Sequence, residues 1–237
     1  MRLPYFPLHV VLFPHLPLPL HIFEERYRAM AGDLVSDDSP FAGQFVVSMI
    51  LEGPEVGGEA HTTAVGTICE VRSAEQLPDG RWVILAVGIR RARLGSIDRG
   101  GRYALVDVEP LDDAIGDGAR ELVPAVQEAL DGYLATVKRF VTHAASVGHD
   151  SQEITNVAAS LDEVLKPIHL PDDPVAASYA VGGVLQVELT RKQQLLELPD
   201  AAARLRAELA LLRRESQLLA DGAMPPVSTA DLDYNPN

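Results

Sequence analysis

The spacing of apolar residues changes once along this chain, and the change limits the folds that are open to it. Before about residue 111, short apolar runs alternate with turns, and within 103–108 every second residue is a small aliphatic one: Ala104, Val106 and Val108. A period of two is typical of β-strands. After about residue 118, apolar side chains recur every three or four positions, as on one face of a helix. The sequence therefore predicts an α+β fold, with a β-rich first half followed by a helical second half.

Three further runs in the first half are apolar or β-branched and are bounded by turn residues: 41–51, 65–72 and 81–94. The segment Leu-Pro-Asp-Gly at 77–80 joins the last two, because Pro and Asp set a bend and Gly accepts a positive φ. The run 81–94 is long enough to bend, and Gly88 within it is a candidate kink or bulge. Short strands separated by such turns predict a small barrel or a sandwich.

Cap and spacing signals predict helices in both halves. Glu24 and Glu25 can begin a short helix, because acidic side chains favour a helix N-terminus. Asp173 and Pro174 combine an acidic N-cap with proline at the first helical position. The other predicted helices are one with apolar residues between 122 and 141, one at about 151–165, one capped by Thr190, and one capped by Asp200 with the apolar face Leu205, Leu209, Leu212 and Leu219.

A polar stretch rich in Asp and Gly, 111–118, separates the two halves, and we place the domain boundary there. This predicts a β-rich subdomain over residues 1–115 and a helical subdomain over residues 116–221. Prolines and small polar residues after Gly222 predict a flexible tail over residues 222–237.

Several segments resemble one known family. Residues 7–14 (PLHVVLFP) and 18–27 (LPLHIFEERY) look like the opening signature of the Lon protease N-terminal domain family. Four shorter segments are similar to later blocks of that family, in the same order: GTICEV at 66–71, LPDGR at 77–81, GIRRAR at 88–93 and RKQQLLE at 191–197. Cys69 stands where a small residue such as alanine is more usual in the family. The matches cover nearly the whole chain.

The resemblance implies a PUA-like pseudobarrel of about six strands packed beside a C-terminal helical bundle. It also implies a stand-alone relative of the substrate-recognition domain, without the ATPase and peptidase domains of a full-length Lon protease. The implied partners are unfolded or tagged proteins and peptides, and the implied role is a protein-binding module, with an adaptor in protein quality control as one form of it.

Motifs that carry chemistry are absent from the sequence. A P-loop needs Gly-x-x-x-x-Gly-Lys-Ser/Thr, and none of the three lysines, Lys138, Lys166 and Lys192, follows a glycine. Proteolysis in the Lon family uses a Ser–Lys pair, in which a desolvated Lys serves as base, and no match to that motif is present. We therefore predict that the protein is not an enzyme. The alternatives left open are an enzyme with an unrecognised pocket and an RNA-binding barrel.

Charge and composition narrow the partners. A formal net charge of -14 argues against a general nucleic-acid binder and against attraction to anionic lipid. No apolar run approaches the roughly 20 residues of a membrane helix. Prolines interrupt the N-terminal segment, which makes it a poor signal peptide, so we expect a cytoplasmic protein. Cys69, as the single cysteine, is expected to be a buried small hydrophobe.

His9, His15 and His21 recur every six residues, which is the one pattern that could indicate a metal site. No Cys-x-x-Cys, His-Glu-x-x-His or carboxylate cluster accompanies them, so the sequence predicts neither a metal site nor a cofactor.

Four arginines are candidate partner contacts: Arg26, Arg90, Arg91 and Arg93. On a strand, Arg91 and Arg93 share one face and Arg90 points to the other. These side chains either lie in solvent or in ion pairs with acidic neighbours, or they anchor acidic segments of a partner. Arg26 lies within a turn of Glu24, which allows a local ion pair.

Overall fold

The structure is a computed structural model that describes residues 1–56, 60–146 and 167–221. In chain order its elements are β1 (Arg2–Leu8), β2 (Pro17–Ile22), α1 (Glu25–Val35), β3 (Gln44–Glu52), β4 (His61–Thr62), β5 (Val65–Gln76), β6 (Trp82–Asp98), β7 (Leu105–Pro110), α2 (Ala119–Ser146), α3 (Pro174–Val184), α4 (Leu189–Glu197) and α5 (Ala201–Ala220). The predicted α+β class is confirmed. The helix expected at about 151–165 and the tail expected at 222–237 lie outside the described residues.

The described residues form two compact units. The first comprises 1–56, 60–113 and 188–197, and the second comprises 114–146, 167–187 and 198–221. The first unit therefore contains all seven described strands, helix α1 and helix α4, while the second contains helices α2, α3 and α5. None of the helices in the described ranges combines the length and the apolar character that spanning a bilayer requires.

Five strands of the first unit close into a ring. β1 pairs with β3 in parallel, and the pairs β3–β5, β5–β6, β6–β7 and β7–β1 are antiparallel. The remaining strands are additions to this ring, since β2 pairs with β6 and β4 pairs with β3. Each ring strand has two neighbours, which satisfies backbone groups that an open sheet would leave at its edges. The sheet has seven strands rather than the expected six or so.

Period-two alternation sends side chains of the barrel wall to two separate cores. Leu3 and Tyr5 of β1 pack with apolar residues from all the other ring strands, so this cluster fills the barrel interior. Phe6 and Leu8 point to the opposite side and pack with Met30 of α1 in a second cluster. Helix α1 therefore covers one outer side of the barrel and buries its apolar stripe there.

A bulge lets the long strand β6 contribute to both cores. Ile84 and Ala86 belong to the cluster beneath α1, whereas Ala92 belongs to the barrel interior. Cys69 pairs with Gly88 and Ile68 pairs with Arg90, so one residue of β6 is left over between them. An extra residue reverses the facing of everything that follows it. The predicted irregularity at Gly88 is confirmed.

Gly88 is also the point where the opening loop touches the barrel. A Cβ atom there would lie 2.7 Å from the carbonyl oxygen of Phe13 and 3.0 Å from Cγ2 of Thr67. The His15 amide donates to the Gly88 carbonyl at 2.7 Å, and the Thr67 hydroxyl donates to the Leu12 carbonyl at 2.5 Å. Only glycine leaves room for this close approach. The contact joins three of the segments that resemble the family, 7–14, 66–71 and 88–93.

Strand β2 has one open edge, because among the described strands it pairs only with β6. The Gly88 amide donates to the Leu16 carbonyl at 3.0 Å. Bonded pairs recur every second residue on antiparallel strands, which aligns Leu18 and Leu20 with β6 and turns the nitrogens of Pro17 and Pro19 to the open edge. Prolines are tolerated at such an edge because they have no amide to donate, so β2 is an edge strand. Strand β1, which also contains prolines, pairs first with β7 and then with β3.

The helical unit has the predicted caps. The Asp173 carboxylate accepts a hydrogen bond from Ala176 N at 2.9 Å, and Asp200 accepts one from Ala203 N at 2.7 Å. Both satisfy amides that the first turn of a helix leaves without partners. Helix α4 of the first unit begins at Leu189, so Thr190 lies inside its first turn instead of capping it.

The spacing of residues in α5 predicts a purely apolar buried face, but the structure shows that two charged side chains are also buried on it. Arg204 and Glu208 are both fully buried on it, whereas the predicted Leu209 is half-buried. The Arg204 guanidinium lies 4.2 Å from the Tyr179 ring centroid, and its Nε donates to Ser178 Oγ at 2.8 Å. Neither carboxylate oxygen of Glu208 has a hydrogen-bond partner in the described chain. Burial raises the pKa of Glu208 well above its usual value, and the charge of Arg204 opposes this only in part.

Candidate functional site

The arginines expected to contact a partner are largely engaged within the chain. Arg26 Nε donates to Glu24 Oε2 at 3.1 Å, which confirms the expected local ion pair, and its guanidinium lies 4.4 Å from the Tyr27 ring centroid. Arg90 donates to Asp112 Oδ1 at 2.5 Å. Arg93 is exposed on β6, opposite Glu109 of β7 in the strand register.

Arg91 is 2 % exposed and is part of the framework of the first unit. Its Nε donates to Asp113 Oδ1 at 2.8 Å and its Nη1 donates to the Leu196 carbonyl at 2.7 Å. The structure thus brings Arg90 and Arg91 to the neighbouring carboxylates Asp112 and Asp113, where the chain leaves β7. The buried and hydrogen-bonded guanidinium of Arg91 is therefore not accessible to another protein.

The described residues contain neither a reactive thiol nor a group of side chains that could bind a metal ion. Cys69 is fully buried, as predicted, and burial raises the pKa of its thiol far above the ordinary value. A thiol in that state is a packing group, because reactivity needs the thiolate. Within residues 1–56, 60–146 and 167–221, no three His, Cys, Asp or Glu side chains are grouped so that they could hold a metal ion.

The first unit exposes a contiguous apolar surface on strands β2 and β6. We call it the outer face and define it by Pro17, Pro19, Val83, Leu85 and Val87. The strand pairing sets these residues in rows, with Pro17 beside Val87 and Pro19 beside Leu85. Val83 and Leu85 are each 41 % exposed, and both prolines are exposed.

Acidic and polar residues of β5 border the outer face. Glu70, Ser73 and Glu75 pair with Val87, Leu85 and Val83 respectively. The other side of these strands is buried beneath α1, so the outer face is the side that an antiparallel sheet normally covers with polar residues. The sequence did hold a signal for it. The run WVILAVGI at 82–89 is apolar at nearly every position, as in a strand with two apolar faces.

An open cleft of about 430 Å³ lies beside α1, and we call it the α1 cleft. Arg28, Ala29 and Gly32 line it from the helix, Gly80 and Trp82 line it from the β5–β6 hairpin, and Arg102 closes one end. Gly80 has a φ of +82°, as the predicted turn requires. Sequence reasoning did not single out Arg28 or Trp82, because nothing in their local sequence indicates that they share a cleft.

Charges at the rim of the α1 cleft are mostly paired. Arg102 Nη2 donates to both carboxylate oxygens of Asp33, at 2.8 and 3.0 Å, and the Tyr103 hydroxyl donates to Asp33 Oδ2 at 2.7 Å. Desolvation, together with this bond to Asp33, raises the pKa of Tyr103, so it remains a donor. Hydrogen bonds from Arg81 lower the pKa of Asp79, which stays ionised in the hairpin turn.

Comparison with known proteins places these features in a family. The family model described as the "ATP-dependent protease La (LON) substrate-binding domain" matches residues 2–214. The Lon protease of Escherichia coli K12 is 23% identical over 222 residues, which are 92% of this chain and 25% of that protein. Lon protease 2 of Desulfotalea psychrophila is 27% identical over 216 residues, which are 91% of this chain and 25% of that protein. The chain spans about a quarter of the length of the curated relatives it matches.

Solved structures share the fold. A Lon N-terminal domain protein from Xanthomonas campestris superposes with a TM-score of 0.58 at 21% identity, covering 89% of this chain and 98% of that one. The N-terminal domain of the Mycobacterium avium complex Lon protease superposes with a TM-score of 0.60 at 19% identity, covering 90% and 98%. With the family model matched along residues 2–214, the chain belongs to the family of the ATP-dependent protease La (Lon) substrate-binding domain.

Proposed function

We propose that this protein is a substrate-recognition module that binds apolar segments of unfolded or tagged proteins on its outer face. The observation that carries the proposal is the pair of adjoining aliphatic rows on β2 and β6, in which Val83 and Leu85 are each 41 % exposed. Contiguous apolar surface of this kind marks interaction sites, whereas single exposed aliphatic residues are ordinary.

The gain from covering such a surface is apolar burial, at about 25 cal/mol per Å² removed from water. A folded protein has already buried its aliphatic side chains, but an unfolded segment still presents them and can lay them against Val83 and Leu85. Binding would be through side chains rather than by strand addition. Pro17 and Pro19 remove two of the amide donors that an added strand would use along the open edge of β2.

We also propose that the protein performs no hydrolysis itself and delivers what it binds, as an adaptor does. Support comes from the sequence, which holds neither a P-loop nor a Ser–Lys motif, and from the family match, which is to a substrate-binding domain. A protein partner is favoured over a nucleic acid because the net charge of -14 repels phosphate. Purified protein should turn over neither ATP nor casein, and chain-dependent turnover of either would overturn this part.

The test is binding of a fluorescently labelled, permanently unfolded protein, such as reduced and carboxymethylated α-lactalbumin, followed by fluorescence anisotropy. The double variant Val83→Ser/Leu85→Ser should bind about tenfold more weakly or worse, which corresponds to about 1.4 kcal/mol. Leu51→Ser is the matched control, because Leu51 is 50 % exposed at the end of β3, outside the outer face. Equal binding by the double variant and the wild type would contradict the outer face as the site.

A further inference from the structure

We propose that the α1 cleft is a carboxylate-binding site, in which Arg28 pairs with the carboxylate and Trp82 contacts an apolar group next to it. The inference goes beyond the proposed function, because the α1 cleft lies on the side of β2 and β6 that α1 covers, away from the outer face, and adds a second recognition site for a bound segment. The ligand chemistry is a carboxylate beside an apolar side chain, supplied either by an Asp or Glu within the segment or by a free C-terminus.

Arg28 is distinguished from the neighbouring arginines by the absence of a carboxylate partner. Arg81 forms an ion pair with Asp79 at 2.6 Å, and Arg102 forms one with Asp33 at 2.8 Å. The backbone amide of Arg28 donates to the Glu24 carbonyl, but its guanidinium makes no hydrogen bond or ion pair with any residue that the structure describes. The chain has 34 acidic and only 20 basic residues, so an arginine without an internal partner on a cleft wall is poised for an external one.

The Arg28 guanidinium lies against the backbone of Gly80. A Cβ atom on Gly80 would lie 2.1 Å from Nη2 of Arg28, so the guanidinium rests directly against the backbone of the turn. The same glycine that accepts the positive φ of the turn therefore also makes room for the arginine. A guanidinium held against a turn loses less conformational freedom when it pairs with a carboxylate than one that moves freely in solvent.

The walls of the α1 cleft suit a short apolar group beside the charge. Ala29 and Gly32 of α1 line the helix side with small residues, and a Cβ atom built on Gly32 would meet nothing within 4 Å. Trp82 offers an aromatic surface on the hairpin side. A volume of about 430 Å³ holds one or two side chains of a segment rather than a whole element.

The charges that remain in the α1 cleft favour a composite ligand over a simple anion. Asp33 is taken up by Arg102 and Tyr103, which leaves Arg28 and Glu25 as the other charged lining groups. The Glu25 carboxylate weakens the pull of Arg28 on a free ion. A bidentate guanidinium–carboxylate pair together with apolar contact at Trp82 outweighs that opposition, whereas charge alone does not. Inorganic phosphate is therefore expected to bind poorly.

Trp82 is the single tryptophan of the chain, so intrinsic fluorescence reports directly on the cleft. The probes are three N-acetylated peptides without tryptophan. Two end in an amide: acetyl-Ala-Ala-Phe-Asp-Ala-Ala-amide and the same peptide with Asn for Asp. The third, acetyl-Ala-Ala-Ala-Phe, has a free C-terminal carboxylate. At least one carboxylate peptide should change the fluorescence saturably, with about tenfold higher affinity than the Asn peptide. The Asp and free-terminus peptides separate the two sources of the carboxylate.

Variants of the full chain complete the test. Arg28→Gln should abolish the preference for carboxylate over amide, and Arg28→Lys should retain only part of it, because an ammonium lacks the guanidinium fork. Arg213→Gln, an exposed arginine of α5, is the matched control and should behave as wild type. Circular dichroism at the assay temperature establishes that each variant is folded.

The inference is overturned if no peptide changes the Trp82 fluorescence saturably, if neither carboxylate peptide binds more tightly than the Asn peptide, or if Arg28→Gln keeps the carboxylate preference. Capture of the unfolded protein is measured separately through Val83 and Leu85. Intact capture with no carboxylate preference would remove only this inference, while loss of capture by the wild type would remove the proposed function.

Discussion

Nη1 of Arg91 donates a 2.7 Å hydrogen bond to the carbonyl oxygen of Leu196, which lies 105 residues further along the chain. A second bond of the same kind runs from Gln193 Nε2 to the Val65 carbonyl at 3.0 Å. Both tie helix α4 to the strands of the first unit. The first unit therefore includes a helix from late in the sequence, in addition to the strands of the N-terminal half.

Replacing Arg91 should destabilise the protein far more than replacing its neighbour Arg90. Arg91→Ala removes one donor from the Asp113 carboxylate and one from the Leu196 carbonyl inside the first unit, and a loss of about 2 to 4 kcal/mol is expected. Arg90→Ala removes an exposed pair with Asp112, whose side chain is 94% exposed, and should change stability by less than about 1 kcal/mol. Urea unfolding followed by circular dichroism measures both losses of stability. Equal losses would contradict the view that the buried Arg91 stabilises the first unit through Asp113 and Leu196.

Gly88→Ala should destabilise the barrel by about 1 to 3 kcal/mol, because the new methyl group would force the Phe13 carbonyl away from β6. The matched control is Gly132→Ala in α2, where a Cβ atom would meet nothing within 4 Å. That change should raise stability by up to about 1 kcal/mol, since alanine is the better helix former. Thermal unfolding of the two variants should therefore move in opposite directions; a Gly88→Ala protein as stable as wild type would disprove the close approach.

Stability of the helical unit should fall as pH rises, because of Glu208. Its folded-state pKa is raised well above the ordinary value of 4.5, chiefly by burial, so the unfolded chain releases this proton first. The contribution is fully present below about pH 4.5 and is lost as pH rises towards and through the folded-state pKa.

Glu208→Gln removes that ionisation, so the variant should be more stable than wild type at pH 8 and should show a flatter dependence of unfolding free energy on pH. Urea midpoints measured between pH 5 and pH 8 decide the matter. Parallel curves for the two proteins would mean that the buried carboxyl does not titrate in this range.

Asp200→Ala should cost about 1 kcal/mol, because it removes the acceptor for the Ala203 amide at the start of α5. Asp200→Ser keeps a capping oxygen and should recover most of the loss. Unfolding of both variants under one set of conditions checks the prediction, and a serine variant as unstable as the alanine one would assign the effect to something other than the cap.

Local chemistry explains what the sequence could predict. The caps at Asp173 and Asp200, the positive φ at Gly80 and the bulge at Gly88 each depend on a few neighbouring residues, so their signals are present in the linear chain. Arg91 and Leu196 meet across 105 residues, and no local pattern encodes that contact. The buried Arg204 and Glu208 were missed for a related reason, since the rotation of α5 against its neighbours decides which side chains are covered.

The candidate site was only partly accessible to sequence reasoning. The local sequence around an arginine does not show whether a carboxylate lies close to it in the fold. Arg90 and Arg91, which have such partners, could therefore not be distinguished by sequence from Arg28, which has none among the described residues. Their partners, Asp112 and Asp113, lie in the polar stretch 111–118, where the sequence indicates a domain boundary and no ion pair. The outer face was encoded more directly, in the length of the apolar run at 82–89, but its exposure depends on what packs against β6.

The two proline nitrogens of β2 bear on a risk that comes with the proposed function. A sticky sheet surface that meets unfolded chains runs the hazard of templating them into fibrils, and a bare strand edge is where growth would start. Pro17 and Pro19 remove two amide hydrogens from that edge, so under the proposed function a bound chain can lie against the sheet without pairing with it as an added strand.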